Sequence, residues 1–378
     1  MTGGGAGPRT AQGPGGDAGP RAAEGTTLVP TPEHVELANS VRSLLAKHSD
    51  SRAVRRALEQ PHGFDVDLWA MLCHQIGAPA LPIRQEHGGA GFTLAEAHVI
   101  LEELGHALAP SPLLSSLVAT AAADDESLPR IAEGAVATLA WSGVTGPTDS
   151  PIGVTWSGDV LCGTIDPVLV GDVADIVLVA ARHGARGEDV GLFRVDPSER
   201  GLTRTRCSGM DPTLGFATLE LDSVPATPIT LDAADVLTAA HRVGTLATAA
   251  LQVGCAQRGL DMTVAYTKER EQFGRPIGSF QALKHRMSDM LVRVRMSRSG
   301  AWAAVQAHVH DAPDADVLVA AASSYCSEAA MAVAAETIQM HGGIAITWEH
   351  DAHLVLKRAQ ALQQLFGRPQ DHRSALIS

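Results

Sequence analysis

The chain has 378 residues, 45% of them hydrophobic, and a formal net charge of −13. That length is enough for two or three domains with ample core. The negative charge argues against nucleic acid or an anionic membrane surface as the main partner. Five cysteines (Cys73, Cys162, Cys207, Cys255, Cys326) are scattered and lack C-x-x-C spacing. They are expected to be reduced core residues of a cytoplasmic protein, neither disulfides nor a metal site. No apolar run reaches the ~18 residues of a membrane span, so no such helix is expected.

Residues 1–30 are Gly, Ala, Pro and Thr with few large apolar side chains. Such a stretch cannot offset its chain entropy, so a disordered tail is expected. No secretory signal is expected there, because no apolar segment follows its arginines. Helices then dominate to about residue 123. Pro32 and Glu33 open the first, with Val35, Leu37, Val41, Leu44 and Leu45 inward. Asp65 to Trp69 begins another after the break at Gly63. Glu86-His-Gly-Gly-Ala-Gly-Phe92 is a Gly-rich turn. It follows no strand and lacks a dinucleotide pattern, so a structural role is expected. A strong helix follows, with Ala97, Ile100, Leu101, Leu104 and Leu108 on one side.

From about 130 to 230 the pattern changes to short β-rich runs separated by Gly, Pro, Asp and Ser. The runs are Ala137–Trp141, Gly153–Trp156, Val160–Leu161, Ile176–Ala181, Val190–Arg194, Leu202–Arg206 and Ala217–Leu221. Their spacing suits a barrel or sandwich. Helical periodicity then returns, through Val243, Leu246, Ala250, Val253, Leu260 and Val264. Gly274 and Pro276 interrupt it, and Leu283, Met287, Met290 and Val294 resume it. A third long helix is expected from Pro313 and Asp314 to Gly342-Gly343, and a last one from about Asp351 to Leu365. The expected division is a tail (1–30), a helical domain (31–125), a β domain (126–232) and a helical bundle (233–378).

The interruption is the informative stretch. Arg270-Glu-Gln272-Phe273-Gly274-Arg-Pro276-Ile-Gly-Ser-Phe-Gln281 forms a corner between two long helices. Taken alone, it reads as a solvated charge run or as a corner presenting Arg270, Gln272 and Phe273 to a large anionic ligand with a planar ring. The string R-x-Q-F-G-x-P-I-x-x-F-Q closely resembles the signature of the acyl-CoA dehydrogenase family. Glu86-x-Gly-Gly-x-Gly and the run from Glu102 to Pro112 are similar to that family's N-terminal domain. The resemblance covers roughly 32–368. It implies a multidomain α+β fold: a helical domain, a middle β-barrel or sandwich, and a C-terminal four-helix bundle.

The resemblance also implies FAD, an acyl-CoA thioester substrate and electron-transfer flavoprotein as acceptor. It implies that Arg270 meets the pyrophosphate of a neighbouring subunit's FAD and that Phe273 packs by its flavin. Gln272 and Gln281 belong to the same corner. Gln339-Met-His-Gly342-Gly343 resembles the family's turn along the neighbour's FAD; singly, Gly342-Gly343 is a plain helix C-cap. The family's reaction needs a carboxylate at the substrate Cα, donors on the thioester oxygen and a flavin opposite.

Other family features are not recognisable. The usual Thr-Glu-Pro-x-x-Gly-Ser-Asp-like and Trp-Ile-Thr-like strings are replaced by Ala140–Asp149 and Leu161–Val168. The family's glutamate lies either just after the last helix or 26 positions before the corner arginine. Phe366 and Gly244 stand there in this chain. Glu349 is a candidate relocated base, though a helix-start carboxylate is the plainer reading. His350 and His353 lack an evident third ligand, so no metal is expected. The resemblance therefore points to a non-catalytic-type subunit of a heteromeric α2β2 acyl-CoA dehydrogenase. The alternatives are a self-sufficient homo-oligomer with a relocated base acting on an acyl-CoA or a carrier-bound acyl group, and a scaffold without activity.

Overall fold

Residues 1–3, 29–145, 151–184 and 189–377 are described by a computed structural model. The tail expected over 1–30 and the end of the 140–149 string fall largely outside them. The N-terminal layer holds α1 (Pro32–His48), α2 (Ser51–Glu59), α3 (Val66–Met71), α4 (Leu94–Ala107), α5 (Leu113–Thr120) and α6 (Ser127–Ala132). Local chemistry sets their starts. Pro32 occupies the first turn of α1, where a missing N–H costs nothing. Asp50 and Asp65 accept backbone N–H groups at the starts of α2 and α3. Thr93 and Glu96 close a reciprocal cap on α4: the Thr93 N–H donates to Glu96 Oε2 at 2.9 Å, and Ala95 N–H donates to Thr93 Oγ1 at 3.1 Å.

The Gly-rich turn is structural, as expected. The backbone N–H groups of Ala90, Gly91 and Phe92 donate to the carbonyls of Ala80, Ile83 and Leu81. Those donors are spent on the turn itself and are not offered to a phosphate.

The middle layer is a sheet of β1 (Ala137–Ala140), β2 (Val154–Ser157), β3 (Val160–Leu169), β4 (Ile176–His183), β5 (Asp189–Val195), β6 (Leu202–Cys207), β7 (Phe216–Pro225) and β8 (Thr227–Thr230). The order along the sheet is β6-β7-β3-β2-β4-β5-β8, with β1 parallel to β4. The seven expected runs are all strands, and β8 is an addition. It was hidden by Pro228, yet β8 is an edge strand, where a proline is tolerated.

The C-terminal layer holds α7 (Ala234–Glu269), the short pair β9 (Glu271–Gln272) and β10 (Arg275–Pro276), α8 (Gln281–Val309), α9 (Ala315–His341), α10 (Ala352–Leu362) and α11 (Pro369–Ala375). At about 1.5 Å per residue, the 36 residues of α7 span roughly 54 Å. Two glycines let α4 and α7 touch backbone to backbone. A Cβ at Gly254 would lie 1.9 Å from the Glu102 carbonyl oxygen, and one at Gly105 would lie 2.4 Å from that of Leu251. Neither position accepts a side chain.

One buried ion pair joins the three layers. Arg358 of α10 donates from Nε to Asp211 Oδ2 at 3.3 Å and to Thr213 Oγ1 at 2.8 Å. Its Nη2 donates to the carbonyls of Thr213 and, after α4, Ala109. Both charged side chains are essentially inaccessible to solvent.

Three sequence expectations need correction. Cys73, Cys255 and Cys326 are core residues, but Cys162 is exposed and Cys207 half-buried, both on strands whose alternate side chains face outward. Val35 is half-exposed, because α1 turns that face away from the core. Over 315–346 the chain is long and apolar enough to cross a membrane, with a mean hydropathy of 1.5 in one window. An unbroken apolar run is not needed for that. The helix is instead a bundle element, with 61% of that window buried inside the protein.

Candidate functional site

Tyr266 of α7 stacks on His341 of α9, with ring centroids 4.5 Å apart. This contact sets the C-terminal ends of the two helices side by side. The corner after α7 and the Gly342-Gly343 turn after α9 therefore emerge at one end of the bundle. Gln339 lies on the last turn of α9, and Gln281 begins α8 at the corner's far side. Arg270, Gln272, Phe273, Gln281, Gln339, Gly342 and Gly343 are all exposed.

The corner is a tight hairpin. Gln272 pairs with Arg275 and Glu271 with Pro276. The turn is closed by Phe273 at φ 55° and Gly274 at φ 73°, both left-handed. Left-handed backbone is costly for phenylalanine, and the conformation thrusts its ring outward, 91% exposed. Phe280 meets that ring edge-on at 6.1 Å, and Arg275 lies 4.1 Å over Phe280. The Arg270 N–H caps α7 on the Tyr266 carbonyl, and its own carbonyl accepts from Ile277. Among the described residues its guanidinium has no ion-pair partner. Gly342 has φ 65° and ψ −143°, a conformation open to glycine, and it starts a 3₁₀ turn to Ile346.

Near that end lie three histidines. His341 and His350 rings are 4.7 Å apart, and His353 meets Trp348 edge-on at 5.0 Å. Burial pushes all three below the ordinary imidazole range, which favours the neutral form. No cluster of metal-ligand geometry occurs among the described residues. Asp351, at the start of α10, is a structural clamp. Ser51 donates to it at 2.6 Å, and Arg55 and Arg258 at 2.9 and 3.3 Å. Glu349 is exposed in the turn before α10, not in the helix start expected from the sequence.

Gly244 and Phe366 lie at the other end of α7, 26 residues or about 39 Å along the helix from Arg270. They are in contact with each other. A Cβ at Gly244 would sit 2.4 Å from Cε1 of Phe366, so the ring fills the space where any side chain would start. Phe366 is fully buried and held at φ 51°. Its N–H donates to the Val144 carbonyl at 2.8 Å, and its carbonyl accepts from Thr245 Oγ1 at 3.3 Å. His241 lies edge-on to both Phe366 and Trp141, at 5.9 and 6.0 Å. Trp141 is buried, and its Nε1 has no hydrogen-bond partner among the described residues. The Trp141–His241–Phe366 stack closes the seam between the sheet and α7. The sequence reading singled out Phe366 and Gly244 but missed Trp141 and His241, because contact across 125 residues leaves no periodic signal.

These features define a flavoprotein oxidoreductase of three layers, and the chain belongs to the acyl-CoA dehydrogenase family. Residues 31–134 match the acyl-CoA dehydrogenase N-terminal domain and 235–376 the acyl-CoA dehydrogenase C-terminal domain. The chain is 42% identical to the acyl-CoA dehydrogenase IpdE2 of Mycobacterium tuberculosis, with 91% of this chain and 96% of that one covered. It is 40% identical to IpdE2 of Mycolicibacterium smegmatis, with 89% and 94% covered. Among solved structures it is similar to a variant of the Tcur3481-Tcur3483 steroid ACAD, at 31% identity, 91% and 96% coverage and a TM-score of 0.80. It also resembles a chain of the ChsE4-ChsE5 complex from Mycobacterium tuberculosis, at 26% identity, 93% and 98% coverage and a TM-score of 0.82.

The family binds FAD. FAD supplies the two-electron acceptor for oxidation of a C–C bond. The exposed corner fits such a ligand: Arg270 offers a guanidinium free of ion pairs, Phe273 an aromatic face, and the Gly342-Gly343 turn a backbone with no side chain in the way. At Gly244 the Phe366 ring occupies the space that a side chain would need.

Proposed function

We propose that this chain is the supporting subunit of a heteromeric acyl-CoA dehydrogenase. Its corner completes the FAD site of a partner chain, and the partner supplies the base. One contrast carries the reading. The exposed end of the bundle presents Arg270, Phe273 and Gly342-Gly343 with nothing of this chain to bind, while the seam at Gly244 and Phe366 is sealed by aromatic rings. Neither of those two residues can accept a proton. In this reading Arg270 holds pyrophosphate, Phe273 lies by the flavin, Gln272, Gln281 and Gln339 line the approach, and Gly342-Gly343 lets the ligand run along the backbone. Relatives named as steroid dehydrogenases and as a two-protein complex support a bulky acyl-CoA thioester as substrate and a second dehydrogenase-like chain as partner. Electron-transfer flavoprotein is the proposed acceptor. Free thiols, two of them outside the core, support a reducing cytoplasmic setting.

The test is the visible spectrum of the purified chain, alone and then with its partner. Alone, it is expected to lack the flavin band near ~450 nm; with the partner the complex is expected to be yellow. A homotetramer with one FAD per chain would overturn the proposal.

Glu349 is expected to be dispensable. A general base contributes about 10²–10⁴-fold in rate. In Glu349→Gln, turnover of the assembled complex with an artificial acceptor is expected to stay within about twofold, a small fraction of that range. A hundredfold loss at full flavin content would make Glu349 the base and this chain catalytic.

A further inference from the structure

The segment between α9 and α10 is held by little packing. Over 342–349 only Ala345 is buried, and Ile346 and Trp348 stand 78% and 72% exposed. Lys357 of α10 lies 4.2 Å from the Trp348 ring centroid, at the surface. A segment with so little burial depends on its hydrogen bonds and opens locally at small cost.

His350, just beyond it, supplies one such bond. The Ala352 N–H, in the first turn of α10, donates to Nδ1 of His350 at 3.1 Å. An amide N–H can only donate, so this nitrogen carries no proton and the ring's own proton is on Nε2. The bond does for α10 what a side-chain oxygen does at other helix starts. His341 is fixed in the opposite sense. Its Nδ1 lies 2.8 Å from the Thr337 carbonyl, which can only accept, so there Nδ1 is protonated. Tyr266 stacks on His341, and the His350 ring lies 4.7 Å from it.

A proton added to His350 has one place to go. It must enter at Nδ1, where it faces the Ala352 N–H and replaces a hydrogen bond by two opposed donors. The new charge would sit against the positive end of α10 and beside the His341 ring. Burial is the largest cause holding His350 neutral, and His341, His353 and Arg258 act in the same direction. Asp351 opposes them, but it is already held by Ser51, by Arg55 of α2 and by Arg258 of α7. Arg55 and Lys357 in turn disfavour charge on His353.

We propose that His350 is a pH-sensitive latch: neutral, it ties segment 342–349 to α10, and protonated, it releases that segment. His350 is less basic in the fold than in an unfolded chain, where histidine titrates near ~6.5. The latch is therefore closed above about pH 6.5 and is lost as the pH falls below it. The segment carries the Gly342-Gly343 turn, so acid would loosen the surface assigned above to a partner's FAD. That consequence rests on the function proposed above; the latch itself does not.

Amide hydrogen exchange of the full-length chain by itself tests the latch without partner or flavin. It is followed from about pH 7.5 to about pH 5, across the histidine range, and corrected for the intrinsic pH dependence of exchange. Protection over 344–352 is expected to fall about tenfold, the worth of one hydrogen bond, while the buried middle of α9 keeps its protection. His350→Asn retains an acceptor two residues before Ala352 but cannot take the proton. Its protection is expected to be the same at both ends of the range. His350→Ala, with no acceptor, is expected to be as open at high pH as the parent chain is at low pH. Unchanged protection in the parent chain, an equal fall in His350→Asn, full protection in His350→Ala, or a parallel loss throughout α9 would each overturn the proposal. Failure of the heteromeric reading would leave these results unaltered, so the two failures are told apart.

Discussion

Arg270→Ala is expected to strip FAD from the proposed heteromeric complex while the helices remain intact. The two halves of this result have different causes. In the chain itself the guanidinium is exposed and unpaired, so its loss barely alters folding. Only its backbone groups serve the corner, and alanine keeps them. Against a pyrophosphate, a guanidinium makes charge-assisted bonds of about 1.5–3 kcal/mol. Flavin affinity is therefore expected to fall by roughly one to two decades. Gel filtration followed by the ratio of flavin to protein absorbance reads the effect, and thermal melting of the chain alone serves as control. Full flavin occupancy in the variant complex would remove Arg270 from the assigned role.

Arg358→Ala is expected to be the most damaging single change to stability. Asp211 would be left charged and buried, and the carbonyls of Thr213 and Ala109 would lose a donor. Breaking such a pair from one side costs about 3–5 kcal/mol. The double variant Arg358→Ala with Asp211→Ala is expected to cost clearly less than the sum of the two single changes, since no charge is then stranded. Urea unfolding midpoints of the four proteins decide the matter. Additive losses would mean that the pair is not coupled and that lost packing explains the effect.

Only one of these two arginines was legible in the sequence. Arg270 lay in a gapless motif, and motifs of that kind report surface chemistry held by a local turn. The corner could be read because Gly274 and Pro276 mark the break and long amphipathic helices flank it. Strands were legible for a similar reason: turn residues delimit them. Arg358 was invisible, since an arginine in α10 reads as a solvent-facing charge until the fold brings Asp211 to it from 147 positions away. The short α11 escaped notice for want of apolar periodicity, although Pro369 marks its first turn.

The contact between Phe366 and Gly244 has a consequence for how this chain can change. The two positions are epistatic. A glutamate at 244 has no room for even its first carbon while the Phe366 ring is in place. Clearing the ring first, as in Phe366→Ala, leaves a void in the core at a cost of about 3–5 kcal/mol. Neither order of events offers a downhill first step. A glutamate therefore cannot enter at position 244 by a single neutral substitution. The barrier acts as a ratchet against the gain of a carboxylate at position 244.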